Sequence, residues 1–576
     1  DYAIEKFARE FPEIGYYITP GEAIEPEFTD SWVNDVVIPA IRRGGARGPI
    51  WLRSWGIDLP RAKRVAEANP DVWIERKFNV EMIADTRPDP ENREWAALSG
   101  KFVVNIHMAA NLEPFRWFAP DYICQCVANS MAGGAGGLHL YPRKAWRWPH
   151  GSEPPLPVVQ WERDRFWNIA WARYSWNPHR DSAGERAWWE AQLTQHFGRV
   201  DSARNFLDSQ EVAADVLPGL QRLIWLGNDN HTVVASGIRL SQFERAEGIP
   251  FLDLPGVSQR IPAYLADLRD GRTPPGPTPA AFIDDRVAAA KKAAKLAAAG
   301  AAASSRHRAE AAALERDAAA VQLVAEYYRE KLRAAELRAQ AQAPGARVAA
   351  DAYLAPLQGS LEIFRRLAAL LEPAYDSVSD VPIWNPFRFE KVPYHWNDIV
   401  PAFERELSLH RLAFGDTGPP PSKEPTLPGL TGLLFGDAGF KRVTGADPVR
   451  SLSLDWTNTG RGRSWSSEWR GFLVAPGAGE TTLRVRSAQP VTIDASGERV
   501  LDGSGFPGVR ELSVSGTRGV AIPLSIGYDH REGTDSYLEI LWKVGGSGFA
   551  PIPPDALRHS EENKRWSDSA VLEIEL

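Results

Sequence analysis

The chain has 576 residues, a net charge of −8 and 24% charged residues. That length exceeds what one hydrophobic core can organise, so two to four domains are expected. The acidic balance leaves no basic footprint for nucleic acid, and no run of about 18 apolar residues offers a membrane span.

Taken in order, Glu5 to Phe11 reads as the end of a helix and Gly15 to Thr19 (GYYIT) as a strand that stops at Pro20-Gly21, with Glu22 directly after it. Asp30 is placed to cap the amphipathic segment SWVNDVVIPAIRR, which ends near Gly44-Gly45. A second strand, PIWLRSW, carries Arg53 and is followed by a helix around Pro60 to Asn69. Val72 to Asn79 alternates large apolar and polar residues, holds Lys77 and Asn79, and leads into Glu81. Lys101 to His107 is rich in β-branched residues and leads past Asn111 to Glu113. A helix over Tyr122 to Ala132 and a fifth strand, GLHLY, come next, with Arg143, Lys144, Trp146 and Trp148 just beyond. Strand and helix alternate throughout, the pattern of βα units, so a (β/α)8-type barrel over residues 1–160 is expected. Eight strands cannot be counted. The opening on Asp1 therefore suggests a chain that begins inside a longer one, its first strands missing, rather than one trimmed of a leader. A periplasmic or secreted location is the accompanying expectation.

Residues 161–272 read as helical: FWNIAWARYSW up to Pro178, GERAWWEAQLTQHFG up to Gly198, and an apolar run over Val216 to Leu226. Asn228 to His231 could cap a helix or line a cleft. Within 273–415, Asp284 to Gln342 is Ala-, Arg-, Lys- and Glu-rich with Gly300 as its main breaker, which predicts two long helices in a hairpin, suited to a structural or homodimer-forming role. After Gly429 short strands alternate with turns, an antiparallel sandwich signature over 427–560. Cys124 and Cys126, the only cysteines, are too close for a disulfide and too few for structural zinc; they read as small apolar residues. Neither a cofactor nor a metal is required.

In a barrel of parallel strands the carboxyl-terminal strand ends share one face. Glu22, Arg53, Lys77 with Asn79, Glu81, His107 with Glu113, and Arg143 with Lys144 could therefore meet at one cavity mouth. Three carboxylates beside cations and tryptophans suit glycoside hydrolysis, which needs a protonated carboxyl at the leaving oxygen and an ionised one to activate water or attack the anomeric carbon. Asn79 and Asn111 could bind sugar hydroxyls. The 22 tryptophans are either sugar platforms, Trp146 among them, or core.

The order GYYITPGE, WLRSW, ERKFNVEM, HMAANLEPFRW, ARYSWNPHRD and EAQLTQHFG, over Glu13 to Gly198, resembles the α-glucuronidases of glycoside hydrolase family sixty-seven. The resemblance implies Glu22 as general acid, Glu113 with Glu81 as the water-activating base of an inverting attack, and Arg53 and Lys77 as holders of the sugar carboxylate. Ile18 stands where that family has a Lys. From Leu427 to His559, WRGFLVAPGAGETTLRV, VTIDASGERVLDG and SYLEILWK resemble the protective-antigen-like β-sandwich module, with the lone Asp494 where calcium-binding members carry an Asp pair. The expected function is an exo-acting glycoside hydrolase on polysaccharide-derived oligosaccharides that releases a uronic acid. The alternatives are a carbohydrate lyase with His107 or Tyr141 as base, and a non-catalytic glycan-binding scaffold.

Overall fold

The computed structural model describes every residue except 22–23, 80–82, 89, 108–111, 113, 142–159, 226–233, 249–257, 379–382, 385–390, 393, 415–421, 457–463, 475–478, 517, 532–534, 546 and 576. For 107, 141, 160, 383–384, 391–392, 479–480 and 572–575 only the backbone is described. The chain divides into two compact units, Asp1–Phe403 and Glu404–Leu576.

In the first unit, β1 (Tyr16–Ile18), β2 (Ile50–Arg53), β3 (Trp73–Lys77), β4 (Phe102–His107) and β5 (Gly137–Tyr141) form a five-stranded sheet in strict chain order. Every pairing is parallel. Sequential order with crossovers of one hand sets the connecting helices against the same face of the sheet. The side chains agree with this: Ile50, Leu52, Ile74, Val104 and Ile106 are buried on that face, while the alternate positions Tyr17, Arg53, Glu75, Lys77, Asn105 and His139 supply the other.

That second face is concave. A flat sheet would set β1 and β5 about 19 Å apart, four spacings of about 4.8 Å. The rings of Tyr17 on β1 and His139 on β5 nevertheless meet edge to face with centroids 5.6 Å apart. Five strands thus wrap around a common interior. Among the described residues β1 and β5 each pair on one side only, so in place of the expected closed barrel the structure shows a curled five-stranded parallel sheet.

Local details correct the sequence reading in two places. Asp30 lies inside its helix instead of capping it; its side chain accepts from Arg64 Nε at 2.5 Å. The following turn, Trp32–Val37, is a π-helix running into Ile38–Arg43, where Pro39 has no N–H to complete the α-helical ladder. The second correction concerns Gly300. The hairpin is present, as helices Pro279–Ala303 and Arg308–Ala341, but it turns at 304–307 and Gly300 stays helical. Gly300 serves close packing: an added Cβ would sit 3.0 Å from the Phe206 ring, and its carbonyl accepts from Ser202 Oγ at 2.8 Å.

The segment after β4 is fastened to the second hairpin helix and to helix Val200–Val212. Buried Asp317 accepts from the Arg116 backbone N–H (3.1 Å), Arg116 Nη1 (2.9 Å) and the Tyr375 hydroxyl (2.8 Å). Gln210 and Glu211 accept from the backbone N–H groups of Phe118 and Asp121 at 2.8 and 3.0 Å. Trp171, Trp189 and Trp396 are wholly buried, so these tryptophans are core. Cys126 is buried and Cys124 partly so, both unbonded; burial pushes the Cys124 thiol up to about 11, so it stays protonated and inert. No helix among the described residues is long and apolar enough to cross a membrane.

The second unit is antiparallel. One sheet runs in the order 443–446, 431–435, 465–474, 521–530, 491–495, 498–502, and the other in the order 453–455, 537–544, 479–487, 508–516. Their inner faces share a core of Trp469, Leu483, Val485, Ile493, Ile526, Tyr528, Leu538 and Ile540. Alternation along 465–474 shows the physical cause, with every second residue turned into that core. Asp494 pairs with Arg499 across a hairpin, Arg499 Nη2 lying 3.1 Å from its carboxylate.

Candidate active site

The concave face is built from single residues of successive strands. Register sets Arg53 beside Glu75, and Lys77 beside Asn105 and then His139. Glu75 is completely buried at its centre. The Tyr17 hydroxyl donates to its Oε1, Arg53 Nε lies 3.7 Å from the same oxygen, and His139 Nδ1 is 2.7 Å from Oε2. Nδ1 of His139 thus faces two groups, the Glu75 carboxyl, which accepts when ionised, and the Asn105 amide nitrogen, which donates. The His139 side chain is 39% exposed, which brings this arrangement to the open side of the face.

Cations and aromatics complete the wall. Arg53 and Lys77 converge on one indole, with the Arg53 guanidinium carbon 4.8 Å and Lys77 Nζ 4.4 Å from the Trp55 ring centroid. Trp51 and Trp73 stack at 4.9 Å with an 11° interplanar angle. Asn105 is fully buried, with Nδ2 3.2 Å from His139 Nδ1. Asn79 is also fully buried, in the left-handed region (φ 45°), and donates through Nδ2 to the Arg87 carbonyl at 2.8 Å. The side-chain oxygens of both asparagines are buried and have no hydrogen-bond partner among the described residues.

Of the residues singled out from sequence, Arg53 and Lys77 fall on this wall and meet at Trp55, while Asn79 lies buried just past the end of β3. His107 ends β4 in register with Tyr141; the side chains of both lie outside the description. Glu22, Glu81, Asn111, Glu113, Arg143, Lys144 and Trp146 lie outside the described residues. The strands preceding the three acids, β1, β3 and β4, are parallel members of one sheet, so their carboxyl-terminal ends share an edge.

Sequence reasoning missed Glu75, His139, Tyr17 and Asn105. A signal was present for Glu75: the period of two in Trp73-Ile74-Glu75-Arg76-Lys77 groups Trp73, Glu75 and Lys77 on one face of the strand. That alternation marks a polar wall where a solvent-facing position is the simpler assumption.

No protein-family model matches the chain, and no curated protein matches it. Among solved structures the chain is similar to a GH138 enzyme targeting pectin rhamnogalacturonan II, with a TM-score of 0.64 and 21% identity over 72% of this chain and 63% of that one. The chain shares that fold and spans less than two thirds of that protein's length. The likeness is to a GH138 structure and does not extend to family sixty-seven in particular. About a quarter of the chain also matches small domains: the PA14 domain of the MpAFP antifreeze protein (TM-score 0.21, 14% identity, 25% of this chain, 97% of that one) and the epithelial adhesin 9 A domain of Candida glabrata (TM-score 0.21, 10% identity, 25% and 94%). TM-scores this low carry no structural argument.

Proposed function

We propose that the first unit is the catalytic part of a glycoside hydrolase acting on polysaccharide-derived oligosaccharides, and that its curled sheet is part of a barrel wall around the sugar site. The observation that carries this reading is the concave polar face centred on buried Glu75, in a fold shared with a glycoside hydrolase. The unsatisfied oxygens of Asn79 and Asn105 suit sugar hydroxyls, since an unpaired buried acceptor costs about 1–3 kcal/mol until a donor arrives. Arg53 and Lys77, gathered at Trp55, suit the carboxylate of a uronic acid such as glucuronic acid, released from a chain end. Glu22 acts as the acid and Glu113, with Glu81, as the base of an inverting hydrolysis, the roles implied by the family resemblance and by their positions after parallel strands.

Glu22→Gln is expected to lower turnover of natural glycosides by about 10²–10⁴-fold and to spare substrates with good leaving groups. Equal activity of variant and parent on both substrates rules the assignment out.

One observation favours a second reading. His139 is part exposed and its Nδ1 lies 2.7 Å from buried Glu75, an imidazole oriented by a carboxyl group as a base that takes the proton α to a uronate carboxylate in a β-elimination would be. A lyase would then use His139, where sequence alone offered His107 or Tyr141. Products with ultraviolet-absorbing double bonds and no gain of water would decide for it; saturated sugars with new reducing ends decide for hydrolysis.

A further inference from the structure

A second cluster of chemical groups sits away from the sheet, at the turn of the long hairpin. Helix Ser182–Phe197 stops at Gly198, in the left-handed region (φ 85°), and the Phe197 carbonyl accepts from the backbone N–H groups of Ser305 (3.0 Å) and Arg306 (3.1 Å). These bonds fix the 304–307 turn to the helix end. His307 then adopts φ 45° immediately before helix Arg308–Ala341.

As a result the rings of His196 and His307 stack, centroids 3.9 Å apart and 7° from parallel, and His196 Nε2 lies 2.7 Å from Glu310 Oε2. Phe166 and Phe197 meet the His196 ring edgewise at 5.1 and 4.8 Å and hold its plane. One nitrogen from each imidazole and one carboxylate oxygen all lie within 4.8 Å of one another. Among the described residues no other three His, Cys, Asp or Glu side chains gather their donor atoms in this way.

We propose that His196, His307 and Glu310 form a binding site for one divalent transition-metal ion, Zn²⁺ in the first place. Two imidazoles and a carboxylate are the donors such ions select, whereas Ca²⁺ and Mg²⁺ prefer oxygen alone. Four-coordinate Zn²⁺ with bonds of about 2.0–2.1 Å needs donor atoms about 3.3 Å apart. The 2.7 Å His196–Glu310 pair therefore opens by about 0.6 Å, and the other separations, none above 4.8 Å, close by about 1.5 Å at most. Parallel rings carry parallel in-plane lone pairs, so exposed His307 turns to bind while His196 keeps its place between the phenylalanines. An ion pair alone would need only His196 and Glu310; His307 adds the third donor, and its three-residue spacing from Glu310 puts both at the start of one helix. Water takes the fourth position. The ion takes the place of the direct His196–Glu310 contact and ties the end of helix Ser182–Phe197 to the hairpin turn, a structural role independent of any sugar chemistry on the sheet.

The test titrates the metal-stripped full chain with Co²⁺, followed by absorbance in the visible d–d bands, and then displaces Co²⁺ with Zn²⁺. The comparison is with His307→Phe, which keeps a stacked ring and removes the donor nitrogen, and with Glu310→Gln. Expected are one ion per parent chain at micromolar metal, a Tm raised by Zn²⁺, and affinity at least tenfold weaker in each variant whose far-UV circular dichroism and metal-free Tm match the parent. No binding by the parent at micromolar Zn²⁺ overturns the proposal. So does a Co²⁺ spectrum and affinity unchanged by both substitutions.

Discussion

Glu75→Gln is the perturbation that most directly probes the concave face. The two side chains have the same shape, so the change isolates charge and proton position. Arg53 Nε lies 3.7 Å from Glu75 Oε1 and both residues are almost completely buried. At an effective dielectric of about 20 their attraction is about 4.5 kcal/mol. Removing one member of a buried pair costs about 3–5 kcal/mol. Because 3.7 Å is beyond hydrogen-bond length and Arg53 keeps its place on Trp55, a loss of about 3 kcal/mol is expected. The Tyr17 hydroxyl donates to Oε1, so the amide oxygen stays there and the amide N–H₂ turns to His139. An amide N–H₂ only donates, so Nδ1 accepts from it and a neutral ring carries its proton on Nε2. Urea denaturation gives the stability change, and long-range ¹⁵N–¹H spectra of the imidazole give the tautomer. A variant within about 0.5 kcal/mol of the parent whose neutral imidazole carries its proton on Nδ1 would refute the reasoning, because neither the ion pair nor the contact of residue 75 with Nδ1 could then exist as described.

Other outcomes follow from the same structure. Burial raises the Glu211 carboxyl from 4.5 to about 8; the unfolded chain therefore releases that proton first, and stability falls as pH rises between about 4.5 and 8. At about 1.4 kcal/mol per pH unit the ceiling is about 5 kcal/mol, and partial exposure reduces the expectation to about 2, so Glu211→Gln should leave acid stability unchanged and gain about 2 kcal/mol at pH 9 in denaturant melts. Asp317→Ala removes the carboxylate that pairs with the buried Arg116 guanidinium and one of the ties on the segment after β4, with an expected loss of about 3–5 kcal/mol by calorimetry. At Gly56, in the left-handed region (φ 78°), an added Cβ would lie 2.0 Å from the Gly21 carbonyl oxygen; Gly56→Ala should cost about 2–3 kcal/mol and lower turnover more than binding, measured as kcat against KM, because it presses on the chain next to Glu22.

What the sequence determined by itself is local. The apolar and polar pattern over Val72 to Asn79, the alternation in GLHLY, the β-branched run before His107, and glycines after helices specify strands and helix ends because those choices depend on neighbouring residues. β5 falls on Gly137–Tyr141 and the long helix before Gly198 ends at Phe197, where the residues suggested. Arg53 and Lys77 were legible as cations at strand ends, since a charge just after an apolar run has few structural uses. Glu75 and His139 were not legible, as a mid-strand Glu and His read equally well as solvated residues. Only the tertiary curl decides their fate: it brings β1 and β5 close enough for Tyr17 and His139 to touch over one carboxylate, 58 and 64 positions from Glu75 in the chain. The same holds for His196 with Glu310, 114 positions apart, whose meeting depends on where a helix hairpin folds back. A chain sets the side chain it offers at each position; the path of the backbone through space sets which distant side chain answers it.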